Sequence, residues 1–419
     1  CDFEKSEALY GAVIYIEGHN ATVNKSDFTN NLAQEDGGAV FVEGHDCKIS
    51  NSNFIDNTAY DDGGAIMWNG DRGSAVNIVC NNNKGVSQLG SSSRGGAICL
   101  TGSNVAVSDS KFNSNTVIFN AGADSSKIDG GALFITGNNV NITDCEFKSN
   151  NASHHGGTIY LLGDNSIVSN CKIEKSTAQN GGGVFIEGNN DTVSGKFKDM
   201  ESDSLGGSIY VQGLNAKVVD STFDNSKAKG EGGGAIYIKG NYATIEGSSF
   251  SKTYANTVDA AKGGAVFVSG DYANVGGSSF RDSTSKSHGG FIYIDGKDAT
   301  LSDSTFDKGI TEKGNGGAIY VNKDNTVIYN CVFSNSKSEA GQTGAVHLAG
   351  KNALVNHSSF NKNEAKKEGG ALFTAGGGAL VYNSTFTSNT ASTNGGAIHW
   401  TGSHENDQVI GCYFKDNTA

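Results

Sequence analysis

The sequence predicts an all-β fold, a right-handed parallel β-helix (solenoid) of about 15 rungs of about 26 residues, with three short strands per rung. Three observations lead to this prediction. A glycine-rich tetrad recurs at a nearly constant interval, apolar and polar residues alternate with a period of two inside each repeat, and the 419 residues include 59 Gly and no Pro. Because proline removes a backbone hydrogen-bond donor, its absence is typical of a chain whose strands nearly all have neighbours on both sides.

The repeat is built on a Gly-Gly-Ala-apolar tetrad, which occurs fifteen times if degenerate copies are included. Eleven of the fourteen intervals between copies are 25 to 27 residues long, and the others are 30, 32 and 35 residues. A period of this size indicates one supersecondary unit stacked repeatedly along an axis. The second tetrad position, or its equivalent, falls at residues 11, 38, 64, 96, 131, 157, 182, 207, 234, 264, 290, 317, 344, 370 and 396.

Each repeat contains three predicted strands. In the second repeat, residues 40–42 place one outward residue between two inward apolar residues, residues 47–49 alternate again, and residues 52–54 close the rung. The apolar residues of the repeat do not follow the helical spacing of i, i+3 and i+4. Successive rungs would therefore pair in parallel, and parallel crossover connections are overwhelmingly right-handed.

Equivalent residues of successive rungs form columns, because each residue of such a coil stacks on its counterpart about 4.8 Å away. One column is mostly Phe and predicts an interior stack of rings, each contributing about 1.5 to 3 kcal/mol on burial. Three residues later, an Asn column predicts amide hydrogen bonds from rung to rung. The Phe column contains Phe28, Phe54, Phe112, Phe147, Phe223, Phe250, Phe280, Phe306, Phe333, Phe360 and Phe386, with Ile173 once and with Phe3, Phe197 and Phe414 at small offsets. The Asn column contains Asn31, Asn57, Asn115, Asn150, Asn363, Asn389 and Asn417.

The middle residue of the first strand is aromatic in most rungs and is predicted to point outward. We call this column the outer stripe. Such a stripe, if exposed, is too large an apolar patch to be left in water and indicates an interface. The sequence leaves three coverings open: a sugar, a neighbouring rod or a lateral segment of the same chain; mutual stacking of the rings alone is the simpler alternative. The candidate interface residues are Tyr15, Phe41, Phe134, Tyr160, Phe185, Tyr210, Tyr237, Phe267, Tyr293, Tyr320 and Phe373.

The repeats predict one continuous β-helix over residues 1–419, with no linker. The three long intervals place insertions at one corner, near residues 85–94, 117–129 and 256–262, and the first two would protrude side by side. Since neither end carries a polar cap, we expect a segment of a longer chain. The alternative is a subunit that stacks head to tail into a filament.

The charge and the apolar runs of the sequence argue against a nucleic-acid partner and against a membrane-spanning helix. The net charge is −13 and only three residues are Arg, so no basic groove for nucleic acid is expected. No apolar run approaches the 18 to 20 residues that a membrane helix needs, so no membrane span is expected in this segment.

No metal site and no cofactor are predicted. The residues that come closest to a metal site are the acidic corner residues Glu35, Asp36, Asp61 and Asp62, for which a solvated acidic corner is the preferred interpretation and a Ca²⁺ ion the alternative. The nine His, with His154 and His155 at a corner, show no ligand spacing and are interpreted as exposed column residues. The eight Cys are predicted to be free thiols, because stacked positions with parallel Cβ vectors suit a disulfide poorly.

Two tetrads carry a family likeness. The GGA[ILV] copies at residues 63–66, 95–98 and 233–236 and the FxxN copies at residues 54–57 and 112–115 resemble the repeats of chlamydial polymorphic outer-membrane protein passengers. They are similar also to repeats of adhesin-like surface proteins of methanogenic archaea. The resemblance implies a β-helix that is secreted or displayed on the cell surface and used in adhesion.

The predicted function is therefore non-enzymatic: an extracellular or cell-surface adhesin-like rod that mediates attachment or builds surface structure. Its expected partners are a host or neighbouring-cell surface, glycans or other copies of itself. A filament subunit is the alternative, and a polysaccharide-active β-helix enzyme is a distant one. The nearest approach to a catalytic group is Arg94 with Asp124 and Asp129, which lie in insertions, and no catalytic residue is assigned.

Overall fold

A computed structural model describes residues 1–88, 92–119, 128–401 and 406–419. These residues form 59 strands and no helix, so none of them belongs to a helix long and apolar enough to cross a bilayer. Strands of successive turns pair in parallel, as for Val40 opposite Ile66. The predicted all-β parallel solenoid of about 15 turns is confirmed. The chain divides into two compact units, Cys1–Asp203 and Ser204–Ala419.

Four short strands make up most turns of the first unit. The first strands are Ile14–Ile16, Val40–Val42, Ile66–Trp68, Ile98–Leu100, Leu133–Ile135, Ile159–Leu161 and Val184–Ile186. The second strands are Thr22–Asn24, Lys48–Ser50, Ser74–Val76, Ala106–Ser108 and Asn141–Thr143, and the third are Asp2–Glu4, Asp27–Thr29, Asn53–Ile55, Val79–Asn81, Lys111–Asn113 and Glu146–Lys148. Second and third strands are fused in Ile167–Glu174 and Thr192–Lys198. The fourth are Glu7–Ala8, Leu32–Ala33, Thr58–Ala59, Lys84–Ser87, Thr116–Phe119, Asn151–Ala152 and Thr177–Asn180, and the strand Glu201–Leu205 contains the unit boundary.

The second unit repeats the same plan. Its first strands are Ile209–Val211, Ile236–Ile238, Val266–Val268, Ile292–Ile294, Ile319–Val321, Val346–Leu348, Leu372–Thr374 and Ile398–Trp400. Its second strands are Lys217–Val219, Thr244–Glu246, Asn274–Gly276, Thr300–Ser302, Val327–Tyr329, Leu354–Asn356, Leu380–Tyr382 and Gln408–Ile410. Its third strands are Thr222–Asp224, Ser249–Ser251, Val332–Ser334, Ser359–Asn361, Thr385–Thr387 and Tyr413–Lys415, and third and fourth are fused in Ser279–Ser285 and Thr305–Thr311. The remaining fourth strands are Lys227–Ala228, Tyr254–Ala255, Lys337–Ser338, Glu364–Ala365 and Thr390–Ala391.

The fourth strand is the one difference from the predicted rung of three strands. Thr58–Ala59 pairs with Leu32–Ala33 in the turn before it and with Lys84–Gly85 in the turn after it. Two residues are too few to show an alternating pattern in a sequence. The pairing is evident only when the buried Ala59 is placed against its equivalents in neighbouring turns.

Single residues in the left-handed conformation separate the strands. In one turn these are Asp46 with φ 59°, Asn51 with φ 51° and Asp56 with φ 55°. Asn and Asp tolerate positive φ better than other residues with a side chain, because their short polar groups hydrogen-bond locally. The abundance of Asn and Asp at the predicted corners therefore has a backbone cause.

The interior carries the Phe column as predicted. Phe250 lies opposite Phe280 in the strand register, and their rings are parallel with centroids 4.6 Å apart. Phe3, Phe197 and Phe414 are in register with the column, with no offset. Cys80 occupies the column in the turn between Phe54 and Phe112, a member that the sequence comparison missed.

The Asn column forms the predicted ladder. Asn57 Nδ2 donates to Asn83 Oδ1 at 3.0 Å and to the Phe28 carbonyl oxygen at 3.0 Å, and the Asn57 backbone N–H also donates to Asn83 Oδ1. Asn83 continues the ladder to Asn115. Each buried amide thereby pairs with backbone and side chain together, so a buried corner costs no unsatisfied polar group.

The glycine pair is required by close approach of the backbone. Gly37 has φ +68°, and a Cβ atom on it would lie 2.5 Å from the Val40 carbonyl oxygen. A Cβ atom on Gly38 would lie 2.0 Å from the Gly64 carbonyl oxygen in the next turn. The chain thus folds back tightly onto the outer face of the first strand. This fold-back sets the position of the residue before the pair, which we call the corner residue.

Candidate functional site

The outer stripe is a continuous stack of rings in the second unit. In the first unit it forms two separate stacks, because Met67 and Cys99 occupy the column between Phe41 and Phe134. Tyr15 lies over Phe41 with ring centroids 4.9 Å apart, and Tyr160 lies over Phe185 at 5.0 Å. In the second unit the rings of Tyr293 and Tyr320 are 5.3 Å apart. Parallel strands bring equivalent side chains together in register, and ring stacking follows.

The expected exposure of the outer stripe is wrong. Of the eleven predicted interface residues, Tyr15 is exposed, at 43%, while Tyr237 and Tyr320 are partly buried. The other eight are buried: Phe41, Phe134, Tyr160, Phe185, Tyr210, Phe267, Tyr293 and Phe373. His347, interpreted as an exposed column residue, is also buried in the stripe, where its Nδ1 lies 3.0 Å from Thr343 Oγ1.

In several turns the corner residue covers the stripe by lying on the stripe residue of the following turn. The Arg94 guanidinium lies 5.0 Å from the centre of the Phe134 ring, the His155 ring stacks on Phe185 at 4.2 Å, and Lys262 Nζ lies 4.6 Å from the centre of the Tyr293 ring. Of the three coverings that the sequence left open, the structure shows a segment of the same chain. The physical reason is the fold-back at the glycine pair, which lays the corner against the outer face of the first strand.

Three of the four acidic candidates come together at this corner. Carboxylate oxygens of Asp36, Asp61 and Asp62 all lie within 4.8 Å of one another, whereas Glu35 is exposed and is not in the group. Asp36 Oδ1 accepts a hydrogen bond of 2.9 Å from the Asp62 backbone N–H. One carboxylate oxygen each of Asp61 and Asp62 is buried without a hydrogen-bond partner.

Burial and mutual repulsion change the protonation of these carboxyl groups. Desolvation raises the pKa of Asp62 to about 7, with the Asp61 charge as the next cause and Arg94 opposing the shift. Desolvation, followed by the charges of Asp36 and Glu35, raises the pKa of Asp61 to about 6. The pKa of Asp36 is raised by desolvation as well. The cluster therefore carries less negative charge near neutral pH than its three carboxyl groups would in water.

A second group, which sequence reasoning missed, lies farther along the same corner. Ligand atoms of Asp129, His154 and His155 lie within 4.8 Å of one another. His154 Nδ1 is 3.0 Å from Asp129 Oδ1, and the His155 backbone N–H donates to the same oxygen at 3.1 Å. Asp129 and His155 are both corner residues, so an alignment on the residue before the glycine pair would have placed them in adjacent turns.

The surroundings of this group are partly buried and aromatic. The two imidazole rings stack with centroids 3.5 Å apart, and Tyr160, whose hydroxyl hydrogen-bonds to Glu187, lies beside them. Desolvation and the neighbouring His154 lower the pKa of His155 to about 4, so its imidazole is neutral at pH 7. Of the catalytic group considered from the sequence, Arg94 and Asp129 are on adjacent paired strands, Ser93–Arg94 and Ile128–Asp129, and Asp124 lies outside the described residues.

An exposed aromatic pair lies at a different corner, in the second unit. Tyr242 and Tyr272 occupy equivalent positions in successive turns, 53% and 49% exposed, with parallel rings 4.9 Å apart. Both have positive φ, 61° and 59°. The equivalent positions in the flanking turns hold Asn215 and Asp298. An aromatic residue with positive φ is uncommon, so its presence in two successive turns points to a role other than folding.

Comparisons with known proteins support the fold and a surface-type likeness. Residues 264–419 match the family described as "Right handed beta helix region", in agreement with the predicted hand, and residues 25–43 match the Chlamydia polymorphic membrane protein repeat. Comparison with curated protein sequences gives no match. Among solved structures, the A-module of the mannuronan C-5 epimerase AlgE6 from Azotobacter vinelandii is similar at 10% identity over 94% of this chain and 91% of that chain, with a TM-score of 0.30. At that TM-score the likeness carries no functional argument. Together, the two family matches support a resemblance to repeat proteins of the surface type.

Proposed function

We propose that this chain is a non-catalytic, adhesin-like β-helix of the cell surface or the extracellular space, which mediates attachment or contributes to surface structure. The match of residues 25–43 to a repeat of chlamydial membrane proteins supports a surface location. A stacked parallel coil, in which neighbouring turns hold one another through Phe and Asn columns, supports a role as a stable scaffold that carries binding residues on its corners.

The exposed pair of Tyr242 and Tyr272 carries the proposal of a binding role. Two aromatic side chains are held in water and in an unfavourable backbone conformation, which costs roughly 1 to 2 kcal/mol per residue. Asn and Asp fill the equivalent positions of the flanking turns at lower cost. A binding function accounts for the difference, since folding alone would favour Asn at both positions.

Glycans are the ligands that this pair suits best. The short side chains of Asn215 and Asp298 occupy the same position in the flanking turns, so the outer faces of the two tyrosine rings are not screened by long side chains. A sugar ring packs its C–H face against such an aromatic face, and its hydroxyls pair with the amides and carboxylates beside it. The tyrosine hydroxyls add two further hydrogen-bonding groups.

The test is a glycan array and a cell-binding assay with the variant Tyr242→Asn/Tyr272→Asn. Asn is the residue of the flanking corner at 215, so we expect the variant to fold at least as stably as the parent and to lose binding by at least about tenfold. The matched control is Tyr329→Asn/Tyr382→Asn, which removes two exposed tyrosines that contact His357 edge-on and do not stack on each other. Unchanged binding by the first variant would contradict the proposed contact.

The non-catalytic part of the proposal has its own test. The protein is incubated with a panel of acidic and neutral polysaccharides, and the products are examined for new reducing ends, unsaturated sugars and changed uronate composition. We expect none of these changes at enzyme-like turnover. Steady product formation that a substitution at Asp129 or Arg94 abolishes would instead support the polysaccharide-active alternative.

A further inference from the structure

The group formed by Asp129, His154 and His155 has the composition of a transition-metal site. Two imidazole nitrogens and one carboxylate are ligands of catalytic and regulatory zinc sites, and Zn²⁺ binds them at about 2.0 to 2.2 Å. Ligands at that distance lie about 2.9 to 3.4 Å from one another in octahedral and tetrahedral sites. The 3.0 Å between His154 Nδ1 and Asp129 Oδ1 lies within this range.

The third ligand is within reach of the same point. Its ligand atom lies within 4.8 Å of the other two, so a shift of the His155 ring of about 1 to 2 Å completes the set. Asn180 Nδ2 lies 3.3 Å from His155 Nδ1. If the Asn180 amide is rotated by 180°, its oxygen accepts a hydrogen bond from His155 Nδ1–H. Such a hydrogen bond outside the metal site orients a histidine that binds the ion through Nε2.

The environment also favours a bound ion. Asp129 is 7% exposed and its Oδ1 is fixed by the His155 backbone N–H, which orients the carboxylate before any ion arrives. The His154 side chain is 23% exposed, which leaves the site open to solvent for entry of the ion and for a fourth ligand. Among the described residues, Arg94 places a positive charge in the preceding turn that opposes binding, and its guanidinium packs over the Phe134 ring.

We propose that Asp129, His154 and His155 bind a divalent first-row transition-metal ion, with Zn²⁺ as the first choice, which joins two successive turns of the first unit. Asp129 belongs to one turn, and the two histidines belong to the next. This ion would be a cross-link between turns, a role separate from the adhesion proposed above. The outcome of the metal-binding test does not affect the glycan-binding test of Tyr242 and Tyr272.

The test is calorimetric titration of the chelator-treated whole protein with ZnCl₂, with Co²⁺ absorption spectra as a second readout. We expect one Zn²⁺ per chain, visible d–d bands with Co²⁺, and a higher thermal midpoint of unfolding in the presence of Zn²⁺. The test variant is His154→Gln/His155→Asn, which copies Gln179 and Asn180 of the following turn and should therefore fold. Because outer-sphere contacts alone change metal affinity 10- to 100-fold, loss of two direct ligands should weaken binding by more than about 100-fold.

The matched control is His19→Ser/His45→Ser, which removes another stacked pair of histidines, with centroids 5.0 Å apart, and introduces the residue found at the equivalent Ser103. We expect this control to bind Zn²⁺ as the parent does. No Zn²⁺ binding by the parent, or equal binding by the His154→Gln/His155→Asn variant, would overturn the proposal. Asp129→Asn, which keeps the shape of the side chain, should also weaken binding, and unchanged affinity there would remove Asp129 from the site.

Discussion

At the scale of single residues, stability depends on side chains that repeat from turn to turn. Phe280 is 1% exposed and stacks on Phe250 at 4.6 Å and on Phe306 at 4.8 Å. A residue in such a column has the same kind of neighbour above and below. A substitution therefore disturbs three turns at once, and its cost exceeds the burial energy of one ring.

Replacing Phe280 by Ala should lower the free energy of unfolding by about 3 to 5 kcal/mol, because a buried ring is lost and a cavity remains. The measurement is chemical denaturation followed by circular dichroism. Tyr272→Ala, in the same unit but half exposed, is the control and should change stability far less. A loss below about 1 kcal/mol for Phe280→Ala would contradict an interior Phe column.

Asp191 is a buried carboxyl group in a column that holds Ser166 in the turn before it. Its Oδ1 accepts a 2.7 Å hydrogen bond from the Ser166 backbone N–H, and its Oδ2 is buried without a partner. Desolvation raises its pKa to about 7, despite the opposing hydrogen bond. Because its pKa is raised, the folded state stays protonated to a higher pH than the unfolded state does. The free energy of unfolding therefore falls as pH rises from about 4 to 7.

Asp191→Asn should therefore be more stable than the parent at pH 8, by on the order of a few kcal/mol, and little different at pH 4. Thermal midpoints measured across this range for the two proteins give the comparison. Other titrating groups are common to both proteins and cancel in the difference. A difference that does not change with pH would show that Asp191 ionises normally.

At the scale of the element, the first strand of most turns is buried on both faces, as in Val40–Val42. Its inward residues, such as Val40 and Val42, are buried in the core, and in several turns its middle residue lies under a corner residue. The inward columns and the Phe and Asn columns could be predicted from the sequence, because their residue types repeat with the period. The covering of the outer stripe could not be predicted, because the corner residues differ from turn to turn. Examples are Tyr10, Asp62, Arg94 and His155.

The polar groups of the corner were predictable only in part. Asp61 and Asp62 attract notice as adjacent acids, and their clustering with Asp36 follows from the common column. Asp129 is separated from His154 by a glycine pair and a whole turn, and an insertion precedes it, so nothing local connects the three ligand candidates. They approach because the two glycine pairs are in register, with the Gly130 N–H donating to the His155 carbonyl oxygen and the Gly131 N–H to the Gly156 carbonyl oxygen.

His347 allows the buried stripe to be tested by pH. It stacks on Tyr320 and on Phe373, each at 4.7 Å, and desolvation lowers its pKa to about 3. The unfolded state binds a proton near pH 6.5 and the folded state does not, so stability is lost as pH falls from about 6.5 to 3.

His347→Phe keeps the ring stack and removes the proton-binding group. We expect the second unit of this variant to resist acid better than the parent, seen as a smaller drop of the thermal midpoint between pH 7 and pH 4. Some stability at pH 7 is lost with the Thr343 contact, worth about 1 kcal/mol. An identical acid response in the two proteins would place His347 in water, contrary to the covered stripe.

At the scale of the whole chain, folding uses ladders and no covalent cross-links. All eight Cys are free thiols, as predicted: Cys1 is exposed, Cys412 is partly exposed, and the other six are buried. Burial raises the pKa of the Cys331 thiol to about 11 and that of Cys80 further still, so neither is a reactive thiolate at neutral pH.

Native protein should therefore react quickly with a thiol reagent at about two of its eight Cys, and at all eight after denaturation. Reducing agents should leave the thermal midpoint unchanged, because no disulfide contributes to stability. Titration with a chromogenic disulfide reagent measures the number of reactive thiols. Calorimetry with and without reductant measures the thermal midpoint. Fewer than eight thiols in denatured, unreduced protein would reveal a disulfide.

The register between turns determines which deletions and insertions the fold can accept. Gly344-Ala345-Val346 and Gly370-Ala371-Leu372 occupy the same columns, so joining residue 344 directly to residue 371 removes one complete turn and restores every ladder on either side. Removal of a single residue from a strand would instead shift all side chains of that strand to the opposite face. Unequal recombination between repeats, in steps of whole turns, is therefore the mildest route by which this sequence can gain or lose length.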